Sequence, residues 1–344
     1  MINFSTGPVT VLPSVAGAFA EPSISHRSPE FNAAFDTLTA ILCERLNVKE
    51  TFIVTGSGTM ANEIMVGQIS LRGDRGLILS NGEFGNRLID QARRQRLDFD
   101  VLCTEWGSLF PINEIETLLQ SNGIRWVLFC HCESSTGVIN PLTEIQDLCR
   151  QFSCGVYVDC MSTFANMPLD LSGVDMATAS SGKAIGSFAG LALVFSNQEI
   201  AEGHTLPVCL DLLHVKRTGG VPFTLSSNLL LALNEAVKHN LASGRFSQLA
   251  GFSRQVYDLL YAMDIVPFAT PESRVFTIAP TDMSAREMAQ RLERSGLHFS
   301  CQSEYLVKRN WLQMALFGNY TQADVDRSLK SIRDVCGTRK LVSQ

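Results

Sequence analysis

Gly155-Val156-Tyr157-Val158-Asp159, followed by Ala177-Thr178-Ala179-Ser180-Ser181-Gly182-Lys183-Ala184-Ile185-Gly186-Ser187, is the stretch on which the fold turns. The first part is an apolar run ending in a carboxylate, the form of a buried parallel strand whose carboxyl end opens on a ligand crevice. An aspartate there costs several kcal/mol unless it meets a cation or a protonated ring nitrogen. Asp159 equally suits a role as a cap for the next helix or loop. Lys183 is the only charged residue between Asp175 and Glu199. Small, apolar neighbours lower a lysine pKa by desolvation, which produces an amine suited to Schiff-base chemistry; the alternative is a loop lysine that snorkels to solvent.

Working outward, short apolar runs at 51–54, 76–79, 99–102, 126–130, 155–158, 176–179 and 191–195 read as strands. Stretches 59–70, 85–95, 111–120 and 143–152 carry apolar residues at helical spacing. Such alternation predicts an α/β domain with a mainly parallel central sheet between helices. After Pro222, helices are predicted over 226–243 and 245–263 with no strand between them. Strands at 274–278 and 311–316 and helices at 284–295 and 322–335 then make a smaller α+β unit. The expected division is a large domain over 14–240 and a small one over 241–344, joined by the segment 1–13.

Thr55-Gly56-Ser57-Gly58-Thr59 lies between a predicted strand and a predicted helix. Glycines there let backbone N–H groups approach an anion, and the helix N-terminus adds its positive dipole end. Such turns also join strand to helix where nothing binds. No Gly-Lys-Ser/Thr closes the loop and no third glycine follows, so it matches neither a P-loop nor a dinucleotide fingerprint. A phosphate turn, a terminal buried Asp and an isolated Lys together fit pyridoxal 5'-phosphate (PLP), which carries a phosphate, a pyridine nitrogen and an aldehyde in one rigid frame.

Composition narrows the partners. With 344 residues, 45% hydrophobic and 18% charged, the chain can bury a large core. A net charge of −6 gives no electrostatic reason to expect nucleic acid or an anionic membrane surface, so the expected ligand is small. The first 23 residues lack a basic region ahead of a continuous apolar stretch, and no segment reaches the ~18 unbroken apolar residues of a membrane span. The ten cysteines show no repeated short spacing, as expected of free thiols in the cytoplasm. In Cys130-His131-Cys132, strand alternation turns both sulfurs to one face and His131 to the other. No second ligand pair follows, and no metal is expected.

At these residues the chain resembles the class V aminotransferases, fold type I PLP enzymes that include alanine:glyoxylate, serine:pyruvate and 2-aminoethylphosphonate transaminases. The resemblance runs over nearly the whole chain, through Thr6-Gly7-Pro8, Ser25-His26-Arg27-Ser28-Pro29-Glu30-Phe31, the 55–59 turn, Asn81-Gly82-Glu83-Phe84-Gly85-Asn86-Arg87, His131-Cys132-Glu133-Ser134-Ser135-Thr136-Gly137 and the two stretches quoted first. It implies that Ser57, Gly58 and Thr59 hold the cofactor phosphate, Phe84 stacks on the ring, Ser134 donates to the phenolic oxygen and Asp159 pairs with the ring nitrogen. Lys183 would carry the cofactor and shuttle protons, with Ser181 beside it among the cofactor contacts. Thr224 would reach the phosphate in a neighbouring subunit, implying a homodimer with shared active sites. Gly7, His26 and Arg27 would lie near the substrate. Read alone, Phe84 also suits a core position, Thr224 a helix start and His26-Arg27 a surface pair.

Two departures stand out. Gln313, in Trp311-Leu312-Gln313-Met314, occupies the place of an arginine that grips the substrate carboxylate in most relatives, and Gly182 replaces a Gln or Asn. Losing a charge-assisted fork weakens carboxylate binding by roughly 2–5 kcal/mol. Either Arg27, Lys308 or Arg309 substitutes, or the substrate has no ordinary α-carboxylate. The resemblance implies transfer of an amino group from a small amino donor to an oxo acid or aldehyde by a ping-pong course. The same fold supports a cysteine-desulfurase-like lyase, for which Cys301 is the nominated thiol, and a non-catalytic PLP-binding relative.

Overall fold

The seven apolar runs assemble into one seven-stranded sheet. Its order from edge to edge is Glu50–Thr55, Leu191–Ser196, Met176–Ser180, Gly155–Asp159, Trp126–Cys130, Gly76–Ser80 and Phe99–Cys103. The computed structural model describes residues 1–336 other than Asn122, His204, Ala242 and Asp282. All pairings are parallel except those of Leu191–Ser196, which runs antiparallel to both neighbours. Helices cover both faces, so Gly76–Ser80, Trp126–Cys130 and Leu191–Ser196 are buried throughout and read as continuous apolar runs. Side chains nevertheless alternate. Val127, Phe129, Val156 and Val158 join the core on one face, and Trp126, Leu128, Cys130 and Tyr157 the core on the other.

Two consequences of register place the site. Cys130, Asp159 and Thr178 stand side by side at the carboxyl ends of three adjacent parallel strands. Met176–Ser180 and Leu191–Ser196 form an antiparallel pair with Ser180 opposite Ala192, so the connection carrying Lys183 turns over that same end of the sheet.

Two helices not anticipated, Pro13–Ala20 and Pro29–Leu46, precede the first strand. The second starts on Ser28, whose side chain accepts from Phe31 N, with Pro29 at its first position. Ser227–Asn240 packs Leu230, Leu233 and Val237 into a sheet-face core. Ser243–Ala262 instead contributes Leu249, Phe252 and Val256 to a separate core with Phe276, Leu292 and Met314. Around that second core, Val275–Ile278 pairs antiparallel with Leu312–Ala315, and Ala285–Arg294 and Gln322–Cys336 are helical. Ile2–Asn3 pairs in parallel with Leu297–His298, so the chain's beginning packs with this C-terminal core. Residues 337–344 of the expected C-terminal domain lie outside the described residues.

Candidate active site

The helix Gly58–Ser70 begins on Ser57, whose hydroxyl accepts from Met60 N at 3.4 Å. The first N–H groups of any helix lack intrahelical acceptors, and here they belong to Gly58 and Thr59. A Cβ on Gly58 would lie 2.6 Å from Met161 Sδ, so a larger residue there would have to displace the Met161 side chain. The cavity beyond encloses about 390 Å³, and Gly58, Thr59, Phe84, Ser134, Asp159 and Lys183 are on its wall. A second cavity of about 260 Å³ shares Gly58, Phe84, Ser180 and Lys183 with the first and adds Gly7 and Ser57.

Asp159 is held by its own neighbours. Its Oδ2 accepts from Asn62 Nδ2 at 2.7 Å, and its Oδ1 accepts from Met161 N at 2.8 Å. Thr178 Oγ1 donates to Asn62 Oδ1 at 2.6 Å, which fixes the amide's orientation. Burial pushes the Asp159 carboxyl above the usual range, while these N–H groups and the charge of Lys183 pull it back. Lys183 Nζ lies 3.4 Å from Ser162 Oγ and 5.6 Å from the Phe84 ring centroid. Burial pushes this amine below the ordinary lysine range, against the opposing influence of the Asp159 and Glu133 carboxyls. A buried carboxylate without a bonded cation, a desolvated amine, an aromatic face and a glycine-lined helix start fit the ring nitrogen, aldehyde, ring and phosphate of PLP respectively.

Other expected site residues lie elsewhere. Ser181 turns inward, donating to Phe188 O at 2.6 Å and accepting from Leu191 N at 3.1 Å; its neighbour Ser180 lines both cavities instead. Thr224 is exposed and lines neither cavity. Arg27 donates to Val221 O at 2.8 Å and Pro222 O at 3.0 Å, which ties it to the segment carrying Thr224, and neither it nor His26 lines either cavity. Gln313 is fully buried and saturated. Its Nε2 donates to Ser134 O and Thr277 Oγ1, both at 2.6 Å, and its Oε1 accepts from Tyr305 OH at 3.1 Å. Both polar atoms of its amide are therefore already engaged within the fold. Of the proposed substitutes, Lys308 pairs with Glu304 at 2.7 Å and Arg309 stacks 3.8 Å from the Trp106 ring centroid.

Residues not singled out beforehand complete the wall. Asn62 was hidden as an ordinary helical polar residue, although its place four positions beyond Gly58 puts it on the same helix face. Arg87 lies on the first cavity wall, and its guanidinium sits 4.9 Å from the Phe84 ring centroid. Cys130 and Cys132 both face the cavity, whereas His131 Nδ1 meets Thr163 Oγ1 at 3.1 Å. Burial raises both thiols, which keeps them protonated and poor nucleophiles. Among the described residues no group of three or more His, Cys, Asp or Glu is placed to hold a metal. Cys301 lines a different pocket with Arg286 and His298.

Burial also lowers His131 from its ordinary 6.5 to about 4, so the folded chain takes up its proton less readily than the unfolded chain between those values. Stability rises with pH across that window, and on the order of 3 kcal/mol is lost as pH falls from 6.5 to 4. Urea titrations of the wild type and His131→Asn at stepped pH measure this, with a flatter acid limb expected for the variant. Equal slopes would remove His131 as the source.

Comparison with known proteins follows the same lines. The family model described as Aminotransferase class-V matches residues 14–206. An uncharacterized aminotransferase of Methanocaldococcus jannaschii is 30% identical over 291 residues, covering 79% of this chain and 75% of the relative. The 2-aminoethylphosphonate–pyruvate transaminase of Pseudomonas fluorescens is 27% identical over 328 residues, 88% of each chain. Among solved structures, a subgroup IV aspartate aminotransferase from Thermus thermophilus superposes with a TM-score of 0.89 at 22% identity, covering 98% of this chain and 99% of that one.

Proposed function

The chain belongs to the class V aminotransferase family, and we propose that it is a PLP-dependent transaminase acting on a small anionic amino donor without an α-carboxylate, of the aminophosphonate kind. The observation that carries the choice of donor is Gln313, whose neutral, saturated amide cannot act as a carboxylate fork. The similarity to 2-aminoethylphosphonate–pyruvate transaminases supports it. PLP, when bound, supplies an aldehyde that accepts the amino group and a ring that withdraws electrons from the reacting carbon.

The chain's own residues do the rest. The N–H groups at the start of Gly58–Ser70, with the Ser57 and Thr59 side chains, hold the phosphate. Asp159 would keep a proton on the ring nitrogen, Phe84 would cover the ring, and Ser134 would donate to its phenolic oxygen. Lys183 Nζ, whose dry setting favours the uncharged amine with a free lone pair, would take a proton from the donor carbon and return it at the cofactor carbon. An oxo acid or aldehyde acceptor runs the same steps in reverse.

Among the described residues, Arg87 is the one arginine on the walls of these cavities. Its Nε donates to Glu83 at 2.9 Å, and its terminal nitrogens make no hydrogen bond among the described residues, so they are available to the donor's anionic group. Because its side chain is 54% exposed, the expected cost of Arg87→Gln is modest, a roughly tenfold rise in KM for aminophosphonates with neutral amines unaffected. Steady-state kinetics over a donor panel test both points. Preference for ordinary α-amino acids over aminophosphonates would overturn the donor assignment.

The chain is further proposed to act as a cytoplasmic homodimer, divided into a large domain over 14–240 and a small one over 241–344. Exposed Phe223 and Thr224, next to the Val221 and Pro222 carbonyls that Arg27 holds, support a segment that reaches a second subunit's phosphate. Free cysteines throughout, including exposed Cys103 and Cys209, support a reducing compartment. No helix among the described residues is long and apolar enough to cross a membrane.

A further inference from the structure

Glu133 is fully buried, yet no step of the proposed reaction uses it. It ends the short strand Cys132–Glu133, just beyond the sheet strand Trp126–Cys130. Its carboxylate accepts from Phe84 N at 3.1 Å, Gly85 N at 2.9 Å, Ser135 N at 3.1 Å and Ser135 Oγ at 2.6 Å. Phe84 and Gly85 open the helix Glu83–Arg94, whose N-cap residue Gly82 has no side chain to satisfy them. A Cβ on Gly82 would lie 2.5 Å from the Glu133 carboxyl carbon, so the missing side chain is what lets the carboxylate in.

We propose that Glu133 is a positioning residue, capping from outside the helix that carries Phe84 and so setting the Phe84 ring against the Lys183 amine. Ordinary N-caps come from the residue at the helix start and satisfy one N–H. Here one carboxylate takes consecutive helix N–H groups, at the end of the dipole where negative charge is favoured. Because the carboxylate belongs to the chain segment that follows a central strand, the helix start is referenced to the sheet that also positions Asp159. Burial raises the Glu133 carboxyl, while hydrogen bonds from Ser135, Gly85 and Phe84 draw it back. The inference rests on the reading of this cavity as the PLP site.

Glu133→Gln keeps the shape but turns an N–H donor toward backbone donors. In the holoenzyme, the expected result is a roughly tenfold weaker PLP dissociation constant and a weaker visible circular-dichroism band per bound cofactor. Phe84→Leu should lower the same band, and the double variant should match Phe84→Leu alone, because both changes act through one ring. Independent, multiplying effects, or an unaltered Glu133→Gln, would overturn the proposal. Should that variant fail to fold, hydrogen exchange in the wild type decides. Slow exchange at the Phe84 and Gly85 amides supports the cap, and fast exchange refutes it. A wild type that forms no visible band with PLP, yet protects those amides, would overturn the cofactor reading while leaving the cap intact.

Discussion

Exchanging Lys183 for alanine is expected to lower kcat by at least about 10⁴-fold, the upper range attributed to a positioned acid–base group, with nucleophilic capture lost as well. Lys183 is the one lysine among the described residues lining the two cavities. Its amine is desolvated rather than ion-paired, and the nearest partner is a hydroxyl, Ser162 Oγ, at 3.4 Å. Nearby thiols and the imidazole are poor substitutes: the cavity thiols of Cys130 and Cys132 are held protonated by burial, and His131 faces Thr163. Release of oxo product from an aminophosphonate measures turnover. Borohydride treatment of the PLP-loaded wild type should also label the peptide containing position 183, and the variant should stay unlabelled there. Wild-type turnover in the variant, or label on another lysine, would end the proposed mechanism. A yellow wild type that responds to no amine would favour the non-catalytic relative. Release of sulfide or ammonia would favour the lyase, although Cys301 lies in another pocket.

The second large effect is expected at Asp159. Changing it to asparagine should reduce kcat by roughly 10²–10³-fold, as for loss of one preorganised electrostatic contact. The same change should leave the melting temperature of the PLP-free protein equal or higher. The sign follows from the environment. Burial raises the carboxyl's pKa in the fold, so the stability it contributes is complete below the ordinary aspartate value and is lost as pH rises through the raised one. The ionised form of Asp159 is therefore the one that the PLP-free fold disfavours. Asparagine keeps an acceptor for Met161 N, and reversal of the Asn62 amide with the Thr178 hydroxyl restores the remaining pair. A fall in PLP-free stability together with unchanged kcat would show that Asp159 serves the fold and not the reaction.

Much of the scaffold was legible because its signals are local. The central strands were found within a residue or so of their ends, since a strand buried on both faces must be apolar throughout. The helix Ala285–Arg294 lies within the expected 284–295, and Ser284 starts it by accepting from Glu287 N. Pro29–Leu46 carries an equally local stripe, Phe31, Phe35, Leu38, Leu42 and Leu46, although no helix was expected there.

By itself, the sequence determined the order of elements, the strand faces and the alliance of a phosphate turn, Asp159 and Lys183, because periodicity and isolated charge are written along the chain. Only the tertiary structure decided which side chains share a wall. Ser180 and Ser181 are neighbours in sequence, yet one lines the cavities and the other bonds the backbone of its own hairpin. Gln313 could be read as a missing charge, but its saturation by Ser134, Thr277 and Tyr305 arises from segments distant in the chain. Glu133, Asn62 and Arg87 gain their roles in the same way, since a hydrogen bond or a cavity wall needs partners whose approach is set by strand register and helix docking, not by spacing along the chain.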